Sequence, residues 1–277
     1  MNGIRFTKMH GLGNDFMVIE NLSGELRLTS DTIRAWSDRH TGIGFDQLLV
    51  VNAPSVESAE FDYLIYNADG EQVEHCGNGA RCFARFVRDR KLTLNREIAV
   101  NTQLGIITLN ILEDDQVTVQ MGVPQFEPEK IPFLAEGMSD YYELDVQGQV
   151  LQVGACSIGN PHVLLTVDDV SKADIAHLGP LIECHKRFPN RVNVGFMQIV
   201  DRSNIKLRVF ERGVGETRAC GTGACAAAAM GINQGRLDNS VVVSLPGGNL
   251  KIHWPNVQAA IEMTGPCSTV FEGQIRM

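Results

Sequence analysis

The sequence predicts an α+β protein of two homologous, pseudo-symmetric domains, each a mixed or antiparallel β-sheet barrel wrapped around a central helix. Three observations predict it. Blocks of the first half recur, in order, in the second half. Segments of alternating apolar residues far outnumber helical ones. Two helical segments rich in small or apolar residues each begin in a Cys-Gly-x-Gly motif.

The repeat comes first. Cys76-Gly77-Asn78-Gly79-Ala80 returns as Cys220-Gly221-Thr222-Gly223-Ala224, 144 positions on, and Asn67 is set against Glu211 at the same spacing. Gly11-Leu12-Gly13-Asn14-Asp15 resembles Ser157-Ile158-Gly159-Asn160-Pro161 at a spacing of 146, and the stretch ending in Gln47 stands opposite the one ending in Asn193. Four matches in order at nearly one spacing indicate duplication. The domains are expected at 1–120 plus 266–277 and at 121–265, with linkers near Gly122-Val123-Pro124 and Gly265-Pro266.

Strands are expected at Phe61–Tyr66, Ile98–Val100, Ile106–Leu109, Val117–Val119, Ile205–Val209 and Val241–Val243. A helix is expected from Ser30 to Arg39, capped by Thr29 or Ser30. Two more begin inside the cysteine motifs. Gly223–Ile232 is small and apolar on every face, so it should be buried all round, with Gly235 as its C-terminal cap. Its counterpart, Ala80–Arg88, is bulkier and keeps arginines.

The chain of 277 residues has 44% hydrophobic residues, 21% charged residues and a net charge of -9. That suits a soluble globular protein. No Lys/Arg run marks a nucleic-acid partner. No segment is apolar for long enough to span a membrane, and the N-terminus lacks an apolar leader, so a cytoplasmic location is expected. Seven cysteines, an odd number, argue against a disulfide framework. Their spacing makes no zinc knuckle, so no metal is expected. Cys82, Cys156, Cys184, Cys225 and Cys267 read as small buried apolar residues.

Cys76 and Cys220 read differently. A helix start offers unpaired N–H donors and a positive dipole end, which suit a carboxylate. A thiol there is expected to ionise more easily than usual. A carboxylate held between the two helix starts would put one cysteine on each face of its α-carbon. One sulfur removes a proton and the other returns one, which inverts the centre. Such a site is expected at the domain seam. The carbanion would be stabilised by aimed N–H dipoles, without an organic cofactor.

Further blocks carry a resemblance: Lys8–Phe16, Gly44–Gln47, Tyr66–Gly70, Cys76–Cys82, Gly159–His162, Glu211–Gly213 and Ala219–Cys225. Together the chain resembles the diaminopimelate epimerase family from end to end. The resemblance implies interconversion of LL- and meso-2,6-diaminopimelate, no metal, no organic cofactor and a homodimer. It makes Cys76 and Cys220 the acid/base pair, supported by His162 and Glu211. It makes Asn14, Gln47, Asn67, Gly77, Asn78, Asn160, Asn193, Glu211, Arg212, Gly221 and Thr222 the substrate contacts, with Arg212 suited to the distal carboxylate. Thr222 stands where many relatives have serine. Phe271 stands where some have tyrosine at a dimer contact. Three other readings stay open: a same-fold isomerase acting on proline or hydroxyproline, a redox-switched binding protein, and a non-catalytic anion-binding module.

Overall fold

The computed structural model describes residues 3–73, 76–103 and 105–276. The chain divides into two units, Met1–Gln120 with Thr264–Met277, and Met121–Met263.

In the first unit, β1 (Ile4–Gly11) and β2 (Asn14–Asn21) form an antiparallel hairpin with Gly11 opposite Asn14. The chain then crosses through α1 (Ser30–Ser37) to β3 (Gln47–Asn52), which runs parallel to β2 with Gln47 opposite Phe16. Next, β4 (Phe61–Asn67) lies antiparallel to β3 with Asn67 opposite Gln47, and the short β5 (Gln72–Val73) folds back on β4. After α2 (Gly77–Asp89) come β6 (Glu97–Thr102), parallel to β4, and the antiparallel β7 (Gly105–Ile111) and β8 (Val117–Gln120).

The second unit opens with β9 (Tyr142–Val146) and then repeats this plan. Strand β10 (Gln149–Ser157) is antiparallel to β9 and to β11 (Pro161–Thr166). The chain crosses through α3 (Ile175–Glu183) to β12 (Asn193–Asp201), parallel to β11 with Asn193 opposite His162. Antiparallel β13 (Asn204–Glu211) follows, with β14 (Gly215–Thr217) folded back on it. After α4 (Gly221–Asn233), β15 (Ser240–Leu245) runs parallel to β13 and antiparallel to β16 (Gly248–His253). Then β17 (Glu262–Gly265) leads back into the first unit, where β18 (Ser268–Ile275) pairs antiparallel with β1.

Register therefore repeats as well as sequence. Gln47 faces Phe16 on one side as Asn193 faces His162 in the other unit. Each sheet is covered on both faces. In the first unit, Ile33 and Trp36 of α1 join Met17, Ile19, Leu48 and Val50 in one cluster. Alternate residues of the same strands face α2, whose Gly79 lies beside Phe16 and Leu49. This explains why β2 and β3 are nearly continuous apolar runs. In the second unit, α4 is buried from Gly223 to Gly231 among β10–β13, β15 and β16. Its apolar surface has the single stable solution of full enclosure. Among the described residues no helix is long and apolar enough to cross a membrane.

Two local expectations need correction, and one helix is additional to those expected. Helix α1 stops at Ser37, because the Asp38 carboxylate accepts the His40 and Thr41 N–H groups and turns the chain. Helix α3 is an element that the sequence pattern does not announce, since Gly179 and Pro180 sit inside it. That glycine is required: a Cβ there would lie 2.6 Å from the Phe210 ring. Finally, Cys184 caps the end of α3 and is exposed rather than buried. Gly235 does follow the end of α4 with φ +69, the left-handed conformation expected of a terminating glycine.

Candidate active site

In the first unit Cys76 is the N-cap of α2, and its sulfur accepts the Gly79 N–H at 3.4 Å. Asn14, from the β1–β2 turn, brings Oδ1 to 3.8 Å from that sulfur. The same oxygen accepts Asn78 Nδ2 at 3.3 Å, while Asn14 Nδ2 donates to Asp46 at 2.9 Å. Beside them Gln47 donates to Asn67 Oδ1 across β3 and β4 at 2.9 Å. Gly77 and Asn78 are buried in the first helical turn, where backbone N–H groups point out of the helix start and suit an anion.

A charged network stands behind this turn. Lys8 pairs with Asp15 and with the Gly44 carbonyl, and Arg39 bridges Asp15 and Asp46 at 2.8 and 2.7 Å. Burial pushes the Asp15 carboxyl up, but hydrogen bonds from Arg39 and Lys8 outweigh it and hold the group far below the usual carboxylate range. Asp46 thereby becomes a fixed acceptor for Asn14.

In the second unit Cys220 is the N-cap of α4 and is buried. Its sulfur lies 3.6 Å from the Thr222 hydroxyl. Asn160 donates to that hydroxyl at 3.3 Å, and Asn160 Oδ1 lies 3.0 Å from His162 Nε2. His162 thus reaches Cys220 through Asn160 and Thr222. Burial, and then the charge of Arg212, lower the imidazole to about 3, so His162 is neutral. A neutral ring next to an amide oxygen donates from Nε2.

The turn after β13 is built by its own set of contacts. Asn193 Oδ1 accepts the Arg212 N–H at 3.0 Å, and Asn193 Nδ2 donates to the Pro161 carbonyl at 2.9 Å. The Arg212 guanidinium is exposed and donates to the Asn190 carbonyl at 3.1 Å. Glu211 accepts the Thr217 hydroxyl. Glu183, at the end of α3, accepts the Gly213 N–H at 2.7 Å. The first unit ties the equivalent turn to α1 through Ser37, which donates to the Ala68 carbonyl at 2.9 Å.

The Cys220 thiol departs from expectation. Burial pushes it well above its ordinary value, and the neighbouring Glu211 charge adds to the shift. The Thr222 hydroxyl and the Gly223 N–H pull the other way without prevailing. The helix start alone favours a thiolate, but desolvation of a buried sulfur is the larger effect.

Of the residues named from sequence, Cys76, Asn14 and Asn78 join in one hydrogen-bonded group, and Gln47 joins Asn67. Cys220, Thr222, Asn160 and His162 form a second group, and Asn193 holds the backbone at Arg212. Phe271 is on β18 opposite Lys8, edge-on to Phe6 and 47% exposed. Asp46, Arg81, Glu183 and Thr217 also belong to these groups. Asp46 and Arg81 lie inside the Gly44–Gln47 and Cys76–Cys82 motifs, whereas nothing in the local sequence marks Glu183 or Thr217.

A model of the family described as diaminopimelate epimerase matches residues 6–127 and 154–270. The chain belongs to the diaminopimelate epimerase family. A protein of Pseudomonas entomophila named diaminopimelate epimerase is 56% identical over 99% of each chain, and one of Stutzerimonas stutzeri with the same name is 55% identical over the same share. Among solved structures, a hydroxyproline epimerase from Agrobacterium vitis is similar with a TM-score of 0.70 at 14% identity, over 99% of this chain and 91% of that one. A Bacillus anthracis phenazine biosynthesis protein of the PhzF family gives a TM-score of 0.70 at 17% identity over the whole of both chains. These structures share the two-domain α+β fold with this member of the epimerase family.

Proposed function

We propose that this epimerase interconverts LL-2,6-diaminopimelate and meso-2,6-diaminopimelate by two-base proton transfer at one α-carbon, with Cys76 and Cys220 as the acid/base pair. The observation that carries the reading is the matched pair of N-cap cysteines, each followed by Gly-x-Gly and set at the same place in a repeated strand register. Duplication supplies what inversion needs, a base and an acid related by symmetry.

The thiolate of one cysteine takes the α-proton and becomes a thiol. The thiol of the other gives its proton to the opposite face and becomes a thiolate. Atoms and charge balance, and the reverse reaction uses the exchanged pair. The raised Cys220 thiol suits the proton-donor state before turnover. The substrate carboxylate is held by N–H groups at Gly77-Asn78 and Gly221-Thr222, whose dipoles also stabilise the developing carbanion. Asn14, Gln47, Asn67, Asn160, Asn193 and Glu211 orient the amino and carboxylate groups. Arg212, whose guanidinium is exposed, takes the distal carboxylate. His162 and Glu211 tune the Cys220 side.

Identity above one half to proteins named diaminopimelate epimerase, against 14% to the hydroxyproline epimerase, favours this substrate over a proline-type one. The enzyme is proposed to work in the cytoplasm as a homodimer with Phe271 in the contact. Sedimentation of the parent and of Phe271→Ala tests the dimer; a monomeric parent would overturn it.

The deciding experiment is incubation with LL-diaminopimelate in heavy water, without added cofactor, followed by chiral analysis. One deuterium is expected, at the inverted centre. Absence of meso product, or full turnover by Cys76→Ala or Cys220→Ala, would overturn the reading.

A further inference from the structure

Helices α2 and α4 begin alike but differ one turn in. Arg81 of α2 stands where α4 has Cys225, 144 positions on, and both are fully buried. A guanidinium taken out of water needs acceptors to offset its desolvation. Arg81 Nε donates to the Pro266 carbonyl at 3.2 Å, Nη1 to the Gly77 carbonyl at 3.4 Å and Nη2 to Asn78 Oδ1 at 2.9 Å. Gly11 on β1 makes room: a Cβ there would stand 3.1 Å from Nη2 and 3.2 Å from the Asn78 carbonyl.

These contacts fix the direction of a chain of amides. Asn78 turns Oδ1 to the guanidinium, so its Nδ2 faces Asn14 Oδ1. At the other end Asn14 Nδ2 faces the Asp46 carboxylate, which Arg39 holds. Both amides are polarised from cation to anion. The oxygen between them, Asn14 Oδ1, is the one that meets the Cys76 sulfur. Reversed amides would present N–H groups there instead.

We infer that Arg81 is a positioning residue for Cys76: through Asn78 and Asn14 it fixes one partner of that thiol, and it sets a positive charge beneath the first turn of α2. The inference rests on the reading of Cys76 as an acid/base of the epimerisation. The other titratable or charged groups of α2 are Cys82, Arg85, Arg88 and Asp89. The strands around it contribute Arg5, Lys8 and His10 of β1, Asp15 and Glu20 of β2, and Asp62, Tyr63 and Tyr66 of β4. Cys267, between β17 and β18, donates its thiol to the Arg81 carbonyl at 3.3 Å. The Arg81 charge lowers both Cys82 and Cys267, so its loss raises those two thiols as well, and alkylation is read at the Cys76 peptide alone.

The test uses the full chain with Arg81→Met and Arg81→Lys. Iodoacetamide alkylation of Cys76 at neutral pH is followed by mass spectrometry, alongside kcat, KM and the melting temperature. Loss of a unit charge in a dry interior outweighs one reoriented amide dipole. Arg81→Met is therefore expected to alkylate Cys76 about tenfold more slowly. Its kcat should fall while KM changes by less than about threefold. Arg81→Lys keeps the charge but cannot span the Pro266, Gly77 and Asn78 acceptors together, so it should fall short of the parent in kcat. A purely structural role would lower the melting temperature and leave the alkylation rate of folded protein unchanged, and that result overturns the inference. Should Arg81→Met fail to fold, Arg81→Lys decides, with parent-like kcat and alkylation as the overturning result. Alkylation needs no turnover, so failure of the epimerase reading would show separately, as a parent that makes no meso product.

Discussion

Gln47 donates its amide to Asn67 across two strands, and its own Oε1 is buried without a hydrogen-bond partner among the described residues. A buried amide oxygen left so is costly to the folded protein. It is also a ready acceptor for an incoming ammonium group, which an amino-acid substrate carries.

Replacing Gln47 by Leu removes that orphan acceptor and the bond to Asn67 together. The two effects on stability oppose each other, and the net change is expected within about 1 kcal/mol. The substrate loses a hydrogen bond to a charged group, so KM should rise about tenfold. Denaturant unfolding and steady-state kinetics on the same preparation separate the two. A KM equal to that of the parent would remove Gln47 from the substrate contacts.

His162 occupies the register position of Phe16, but as a polar ring in a fully buried place. Its folded-state value of about 3 lies below the ordinary value of 6.5. The unfolded chain therefore binds this proton first as pH falls. Stability from the neutral ring is complete above about pH 6.5 and is lost as pH falls toward 3. Between pH 6.5 and 4.5 the loss is about 2–3 kcal/mol. His162→Phe should remove that part of the acid sensitivity, measured by urea unfolding at both pH values. It should also lower activity, because Asn160 loses the donor that orients it.

The repeat and its cysteines could be read from sequence because each motif is local and the spacing is nearly constant. Helix α3 could not, since Gly179-Pro180 breaks the pattern and only the Phe210 ring, thirty-odd residues on, explains the glycine. Arg81 sits inside the Cys76–Cys82 motif, but its partner at Pro266 is a backbone carbonyl 185 residues away. The motif also misleads about Cys220. A helix start argues for an acidic thiol, while the burial that reverses this depends on the enclosing sheet. Cys184 is exposed for the same kind of reason: it ends a helix that the pattern hides.

The two motif glycines at equivalent positions should respond differently to alanine. At Gly79 a Cβ would lie 2.5 Å from the buried Tyr63 hydroxyl and 3.2 Å from Leu49, so the clash falls on the core. Gly79→Ala should cost about 1–3 kcal/mol of stability. At Gly223 the nearest atoms are Val209 at 3.0 Å and the Cys220 Cβ and Sγ, each at 3.2 Å. Here the cysteine itself must move. Gly223→Ala should keep most of its stability while kcat falls by a factor of up to about a hundred. Equal losses in melting temperature with intact kcat in both would contradict this division.

Glu211 raises the Cys220 thiol by its charge, second only to burial, and is itself held by the Thr217 hydroxyl. Glu211→Gln keeps an oxygen for Thr217 and removes the charge, the larger of the two ways in which Glu211 raises the thiol. The thiol should then ionise more readily, and alkylation of Cys220 at neutral pH should quicken by up to about tenfold. The proton-donor state of Cys220 becomes harder to hold, so turnover should fall in the direction that uses it first. Following kcat separately from LL and from meso substrate reveals the asymmetry, while kcat/KM falls by one factor in both because the equilibrium between the two forms is fixed. Were Glu211 merely the partner of Thr217, alkylation of Cys220 would not change and the two directions would lose rate alike.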